Sequence, residues 1–290
     1  NAPNNLDALY SLADDYSIKA QQSFTNYQME MDTLGKIEKI DRKSPRVFYR
    51  MREIYLKSED WALAADIQKK LIFRLEGREK RAREKKLLSR YIYNNGVLHF
   101  GKGDFEAAIF EFKKALREDA QCLSAHIILA DAFLKIGNGK AALKAWKTGY
   151  ENTNSPVFLV QMEKLYRELD QVGEMIKVYK EAMKNFAAKK RKQVVFTEYG
   201  YRSIDFSGKE PWKHDRSKLL ANYEAQTNCL LSLYQNIWDE PWFAGGFLWK
   251  WFPQGGNHIS EQNRFTIQEK PSQTVLERFF EQRNNEVMKK

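Results

Sequence analysis

Cysteine is nearly missing from this sequence. Cys122 and Cys229 are the only two in 290 residues, far apart and with neither a second cysteine nor a histidine cluster at ligand spacing. A disulfide framework and a zinc site are thereby set aside, and two buried, inert thiols are expected. Long apolar runs are missing too, since none approaches the ~20 residues that a helix needs to cross a bilayer. The opening Asn1-Ala-Pro-Asn-Asn lacks the charged-then-apolar order of a secretion signal. A soluble chain is expected, cytoplasmic or periplasmic. Because it starts at Asn and not Met, removal of a leader or anchor stays open, and the compartment with it. No cofactor is implied by any motif.

What is present is enough to fold. A hydrophobic fraction of 43% with 13% aromatics offsets the ordering entropy that keeps polar chains disordered. The length suits about two domains. A formal charge of +10 and a pI near 9.3 are compatible with nucleic acid, an anionic membrane surface or an acidic peptide. The basic residues alternate with Glu and no ribonucleoprotein or zinc-finger motif accompanies them, which disfavours nucleic acid.

The middle of the chain repeats. The stretch from Gly96 to Leu116, with Gly103, Asp104, Phe105, Ala108, Phe112 and Ala115, recurs from Ala130 to Tyr150 with Gly137, Ala142, Trp146 and Gly149. From Gly103 to Gly137 is 137 − 103 = 34 residues, the tetratricopeptide period. Small residues at Gly96, Ala108, Ala115, Ala130 and Ala142 let antiparallel helices approach, while Phe105 and Phe112 fill the seam. Gly103 ends its helix, as a residue free to take positive φ does. A weaker copy follows (Leu159, Met162, Tyr166, Met175, Tyr179, Ala182) and another precedes (Phe48, Met51, Tyr55, Trp61, Ala64, Leu71). The charged insertion Glu76 to Lys86 mixes signs at helical spacing and reads as a solvated helix extension, with a docking patch as the competing reading. Upstream, Leu6 to Lys39 reads as helix with Leu9, Leu12 and Tyr16 on one face, an end cap for the stack over residues 1–43.

Residues 44–185 thus resemble tetratricopeptide repeat proteins, and the long second hairpin is similar to the repeats of lipopolysaccharide assembly protein B. The resemblance implies an α-solenoid whose first helices line a concave groove. Mapped by the period, that groove takes Arg46, Tyr49, Lys57, Arg90, Tyr93, Asp131, Lys135, Lys164 and Arg167. Cations predominate, which suits an acidic peptide or a C-terminal carboxylate, with the two tyrosines as anchors. Ordinary surface charge on an unused face is the competing reading.

After residue 185 the character changes. Val194-Val-Phe-Thr suits a buried parallel strand with Glu198 at its end; a helix from about Ser217 to Trp238 and a second strand over Trp242 to Pro253 complete a βαβ unit. Three motifs, Phe196-Thr-Glu-Tyr-Gly-Tyr201, Glu210-Pro-Trp212 and Trp242-Phe-Ala-Gly-Gly with Trp249-Lys-Trp251-Phe-Pro, together with the closing Phe265 to Leu276, resemble the last two strands of the (β/α)8 barrel in retaining glycoside hydrolases of family 113, the β-mannanase-like enzymes of clan A. The resemblance implies that Glu198 is a nucleophile and that Tyr201, Trp249 and Trp251 meet a sugar. Retaining chemistry needs a second carboxylate ~5–5.5 Å away, and no strand-like segment before Val194 presents it; two strands do not close a barrel of eight. Glu198 paired with a nearby Arg or Lys, and Trp242, Trp249 and Trp251 packed on the helices, are the structural alternatives. Lys189-Lys-Arg-Lys192 joins the two parts without a Gly/Ser/Pro linker, so a missing stretch, a recombined gene and an artificial join all stay open. The leading expectation is a mainly α, peptide-binding scaffold with an incomplete α/β tail over 186–290; the competing one is a retaining glycosidase whose acid residue comes from elsewhere.

Overall fold

The computed structural model describes residues 5–20, 24–209, 220–252 and 262–287. The chain divides into two compact units, Asn1–Met175 and Ile176–Lys290. The first unit is a helical repeat. It opens with α1 (Leu6–Ala20) and α2 (Phe24–Ile40), then runs α3 (Arg46–Lys57), α4 (Trp61–Arg74), α5 (Arg78–Gly101), α6 (Phe105–Glu118), α7 (Leu123–Lys135), α8 (Gly139–Thr153) and α9 (Val157–Glu168). Extensive packing within it joins helices adjacent in sequence.

One turn recurs four times, and in three of its places it sets a packed hairpin, α3 with α4, α5 with α6 and α7 with α8. Glu59, Gly103, Gly137 and Asp170 all take the left-handed conformation, with φ of 55, 80, 74 and 53°. The next residue reaches back with its N–H to a carbonyl five positions earlier: Asp60 to Tyr55 at 2.9 Å, Asp104 to His99 at 3.0 Å, Asn138 to Phe133 at 2.8 Å and Gln171 to Tyr166 at 2.8 Å. This is a Schellman closure of the first helix. In these three hairpins that same residue caps the second helix, its side chain accepting from the N–H three positions on: Leu63, Ala107 and Ala141 at 3.0, 3.2 and 3.0 Å. The chain reverses within two residues.

The seam is as close as the small residues require. A Cβ added to Gly96 would lie 2.7 Å from the Phe112 ring, and one on Gly149 2.6 Å from Phe158. Ala108, Ala115, Ala130 and Ala142 are fully buried. The N-terminal segment is a pair of helices, and its inward face differs from the expected one: Leu9 and Ala13 are buried, whereas Leu12 is 40% exposed. Leu9 and Ala13, one turn apart, join Leu34 and Ile37 against Val47, Phe48 and Met51. The charged insertion leads into α5 and forms its first turns, exposed from Glu76 to Arg83. Glu84 departs from the solvated reading by turning inward, where Gln68 Nε2 donates to it at 2.7 Å and Arg52 Nη1 at 3.1 Å.

Helix α10 (Val172–Lys190) runs through the division into the second unit, which continues with β1 (Val194–Tyr199), α11 (Tyr223–Ile237), β2 (Phe243–Leu248) and α12 (Pro271–Val287). The strands pair in parallel, Val194 with Phe243 and Tyr199 with Leu248, as the βαβ reading required. β2 is shorter than expected, and α11 starts at Tyr223; Ser217 and Pro253 lie outside the described residues. Helix α10 ends in a turn of its own, with Arg191 left-handed at φ 52° and Lys192 N–H closing on the Ala187 carbonyl at 3.1 Å. Met183 and Ala187 of α10, with Leu233 and Ile237 of α11, pack against Val194, Phe196, Trp242 and Phe243. Tyr234, Phe279 and Phe280 gather with Tyr199 and Leu248 in a neighbouring cluster. The expected two-sided burial of β1 is corrected: its helix-facing residues are covered, but Val195 and, on β2, Phe247 are 49% and 68% exposed. The two strands carry helices on one face among the described residues.

Candidate functional site

Glu198 sits in the penultimate position of β1, exposed, and makes no hydrogen bond or ion pair among the described residues. The Arg or Lys partner considered for it is not found there. One residue further, the backbones of the two strand ends meet: Trp249 N–H donates to the Tyr199 carbonyl at 2.7 Å, and a Cβ on Gly200 would collide with the Trp249 carbonyl oxygen. Glycine at 200 is what allows this approach. The Trp249–Lys250 peptide is cis. Trp249 and Trp251 are 37% and 54% exposed, whereas Trp242 is buried among Ala187 and Ile237. The three tryptophans therefore separate into one core residue and two at the surface. Tyr201 packs beside Leu230 and Tyr234, and burial raises its phenol above the ordinary range. Glu210 and Trp212 lie outside the described residues.

Beneath these strand ends is a polar network that residue patterns did not reveal. Fully buried Gln226 of α11 donates through Nε2 to the carbonyls of Tyr201 at 2.8 Å and Phe265 at 3.1 Å, and its Oε1 accepts from Ser272 Oγ at 2.9 Å. Lys270 Nζ donates to Ser203 Oγ at 3.0 Å and to the Arg264 carbonyl at 2.9 Å, while Ser203 Oγ donates to the Gln262 carbonyl. The network ties the segment after β1 to the segment before α12. Its signal was faint: Lys270 and Ser272 fall in the closing motif, but nothing in sequence marks Gln226.

In the first unit, the groove candidates other than Arg167 recur in pairs at shared heights on the first helices. Arg46 and Arg90 stand thirteen residues before the left-handed turn of their hairpins, and Tyr49 and Tyr93 stand ten before it. Several are engaged within the chain. Arg46 lies over the Tyr10 ring at 4.3 Å and Arg52 over Tyr49 at 5.1 Å. Tyr93 packs against Phe112 with centroids 5.8 Å apart, and burial pushes its phenol up. Burial likewise raises the Asp131 carboxyl, opposed by Lys135. Arg167 pairs with Glu163 at 2.7 Å. Lys57, Arg90 and Lys164 are exposed and make no ion pair among the described residues. Also among the described residues, no cluster of three His, Cys, Asp or Glu is placed to hold a metal, and no helix is long and apolar enough to cross a membrane.

Comparison with known proteins gives two findings. The model of Glycoside Hydrolase Family 113 matches residues 159–270, beginning in α9 and so taking in the helix that leads into β1. Among solved structures, the chain is similar to MamA, at 15% identity over 61% of this chain and 96% of that one, with a TM-score of 0.33. It is also similar to YrrB, described as a tetratricopeptide protein with an unusual peptide-binding site, at 11% identity over 60% and 84% with a TM-score of 0.32, and to TTC0263, a tetratricopeptide protein of Thermus thermophilus, at 17% identity over 62% and 91% with a TM-score of 0.26. These likenesses are distant, and the repeat is defined by its own turns and seam. No curated protein matches the chain. The molecule joins a tetratricopeptide-like helical repeat to a C-terminal segment similar to family 113 glycoside hydrolases.

Proposed function

We propose that the repeat region is a scaffold that holds an acidic peptide along its first helices. The observation that carries this reading is the recurrence of cation and tyrosine at two shared heights, Arg46 with Arg90 and Tyr49 with Tyr93. A carboxylate meeting such a stripe gains charge-assisted hydrogen bonds, and the tyrosines offer contact area at small entropic cost. Lys57, Arg90 and Lys164 are the cations to test first, since no carboxylate of the described residues neutralises them. On a peptide array, acidic sequences should bind the full chain in preference to basic ones, and Arg90→Glu with Lys164→Glu should weaken the best of them at least tenfold. No preference for acidic peptides ends the reading.

The second reading is glycoside hydrolysis, favoured by the family match over residues 159–270 and by a carboxylate near the C-terminal end of a parallel strand that has no ion pair among the described residues. Glu198 would serve as nucleophile, Tyr201, Trp249 and Trp251 would meet the sugar, and the acid/base carboxylate would come from another segment or chain. We expect no turnover of an aryl β-mannoside by this chain alone. Turnover abolished by Glu198→Gln would reverse that order of preference. Glycan binding lost in Trp249→Ala, without turnover, would leave a carbohydrate-binding segment.

A further inference from the structure

The helices α6, α7 and α8 enclose a groove of about 530 Å³ on the side of α7 away from the stripe just described. Leu129 and Phe133 of α7 line it, while Asp131 of the stripe lies two positions from each, about 200° around the helix. Leu116 of α6 completes the apolar floor. On α8, Ala141 and Ala145 leave room that larger side chains would fill. The lining residues of α8 run from Ala141 to Asn152, roughly 16 Å along the axis, so the groove is long rather than round.

Its charge is of one sign. Lys113 and Arg117 stand on the α6 wall and Lys144 on the α8 wall, all three exposed and without an ion pair among the described residues, and no Asp or Glu lines the groove. Lys113 Nζ lies 5.2 Å from the centroid of the Phe133 ring. At the floor, His126 is 2% exposed; its Nε2 bonds the Ala120 carbonyl at 2.9 Å, while Nδ1 is buried without a hydrogen-bond partner.

We infer that this groove docks an acidic amphipathic helix of a partner protein. The apolar face of that helix covers Leu116, Leu129 and Phe133, and its flanking carboxylates meet Lys113 and Arg117 on one side and Lys144 on the other. The length of the groove favours a helix over a compact anion, and cations on both walls require acidic residues on both flanks. The site is separate from the first-helix stripe and stands whether or not that stripe binds anything.

The test uses the full chain and a fluorescein-labelled synthetic helix of about 14 residues, with Leu or Phe at i, i+3, i+4 and i+7 and Glu on the flanks. Fluorescence anisotropy should show saturable binding that weakens as salt is raised. The double variant Lys113→Glu, Arg117→Glu and the single variant Lys144→Glu should each weaken it at least tenfold with an unchanged circular dichroism melt, whereas Arg90→Glu should leave it intact. A peptide of the same composition with its apolar residues scrambled should bind at least tenfold more weakly. Absence of binding, equal binding by the scrambled peptide, or indifference to the α6 and α8 charge reversals overturns the inference. Displacement of the peptide by dodecanoate, with dodecanoate binding the tighter of the two, also overturns it, since the occupant would then be a small anionic amphiphile.

Discussion

At single positions, two glycines of the same helix carry opposite expectations. Gly96 faces the Phe112 ring so closely that a Cβ would lie 2.7 Å from it, whereas nothing lies within 4 Å of a Cβ at Gly101. Gly96→Ala should destabilise by about 1–3 kcal/mol, because overpacking a seam outweighs the ~1 kcal/mol gained in helix propensity. Gly101→Ala should stabilise by about 0.5–1 kcal/mol, since its helical backbone suits alanine and only the unfolded chain loses freedom. Urea denaturation of the two variants should move the midpoint in opposite directions. Glu240 offers a titration. Its carboxyl accepts a hydrogen bond from Lys180 at 2.7 Å and another from Trp242 Nε1 at 3.0 Å, and the Lys180 bond leads in holding it below the usual glutamate range. A depressed pKa adds stability that is present above the unfolded value and is lost as pH falls through the folded one. Glu240→Gln should therefore flatten the acid limb of the stability curve, with a loss near neutral pH of about 0.5 kcal/mol, as for a partly exposed pair.

At the level of elements, the four left-handed turns explain what the sequence shows and what it hides. Gly103 and Gly137 announce theirs, and the period between them is readable at once. Glu59 and Asp170 make the same turn without glycine, so the flanking hairpins look weak although their backbone closure is equivalent. Non-glycine residues carry strain in this conformation, and Glu59→Gly should raise stability by about 0.5–1 kcal/mol, measured by thermal unfolding. The strands were legible through Val194 to Thr197 and the aromatic motif around Trp242. The role of α10 was not, because its Met175, Tyr179 and Ala182 continue the repeat pattern while Met183 and Ala187, just beyond, pack on the strands. The Gln226 network was hidden for a different reason: a buried amide is chosen by backbone carbonyls that only folding brings together. Gln226→Ala should cost about 1–3 kcal/mol by leaving them unsatisfied, and hydrogen exchange should rise at residues 201–207 and 264–270, with unit one unchanged.

Across the whole molecule, the two compact units draw on contacts of different range. Helices of the repeat are held by their immediate neighbours, and each hairpin is closed by its own turn. The second unit depends on Val194 meeting Phe243 and on segments near residues 203 and 264 meeting through Ser203 and Lys270. The meeting of the two strand ends, where Trp249 N–H bonds the Tyr199 carbonyl, exists only once those distant pieces have come together.

That difference in range sets an order of events during refolding. Hairpins that close over short spans of chain nucleate quickly and propagate along the stack, whereas a parallel strand pair must first close the long loop that contains α11 and bear its entropy before any ladder bond forms. A nascent chain emerging from its N-terminus therefore has a finished repeat in hand while β1 still waits for β2.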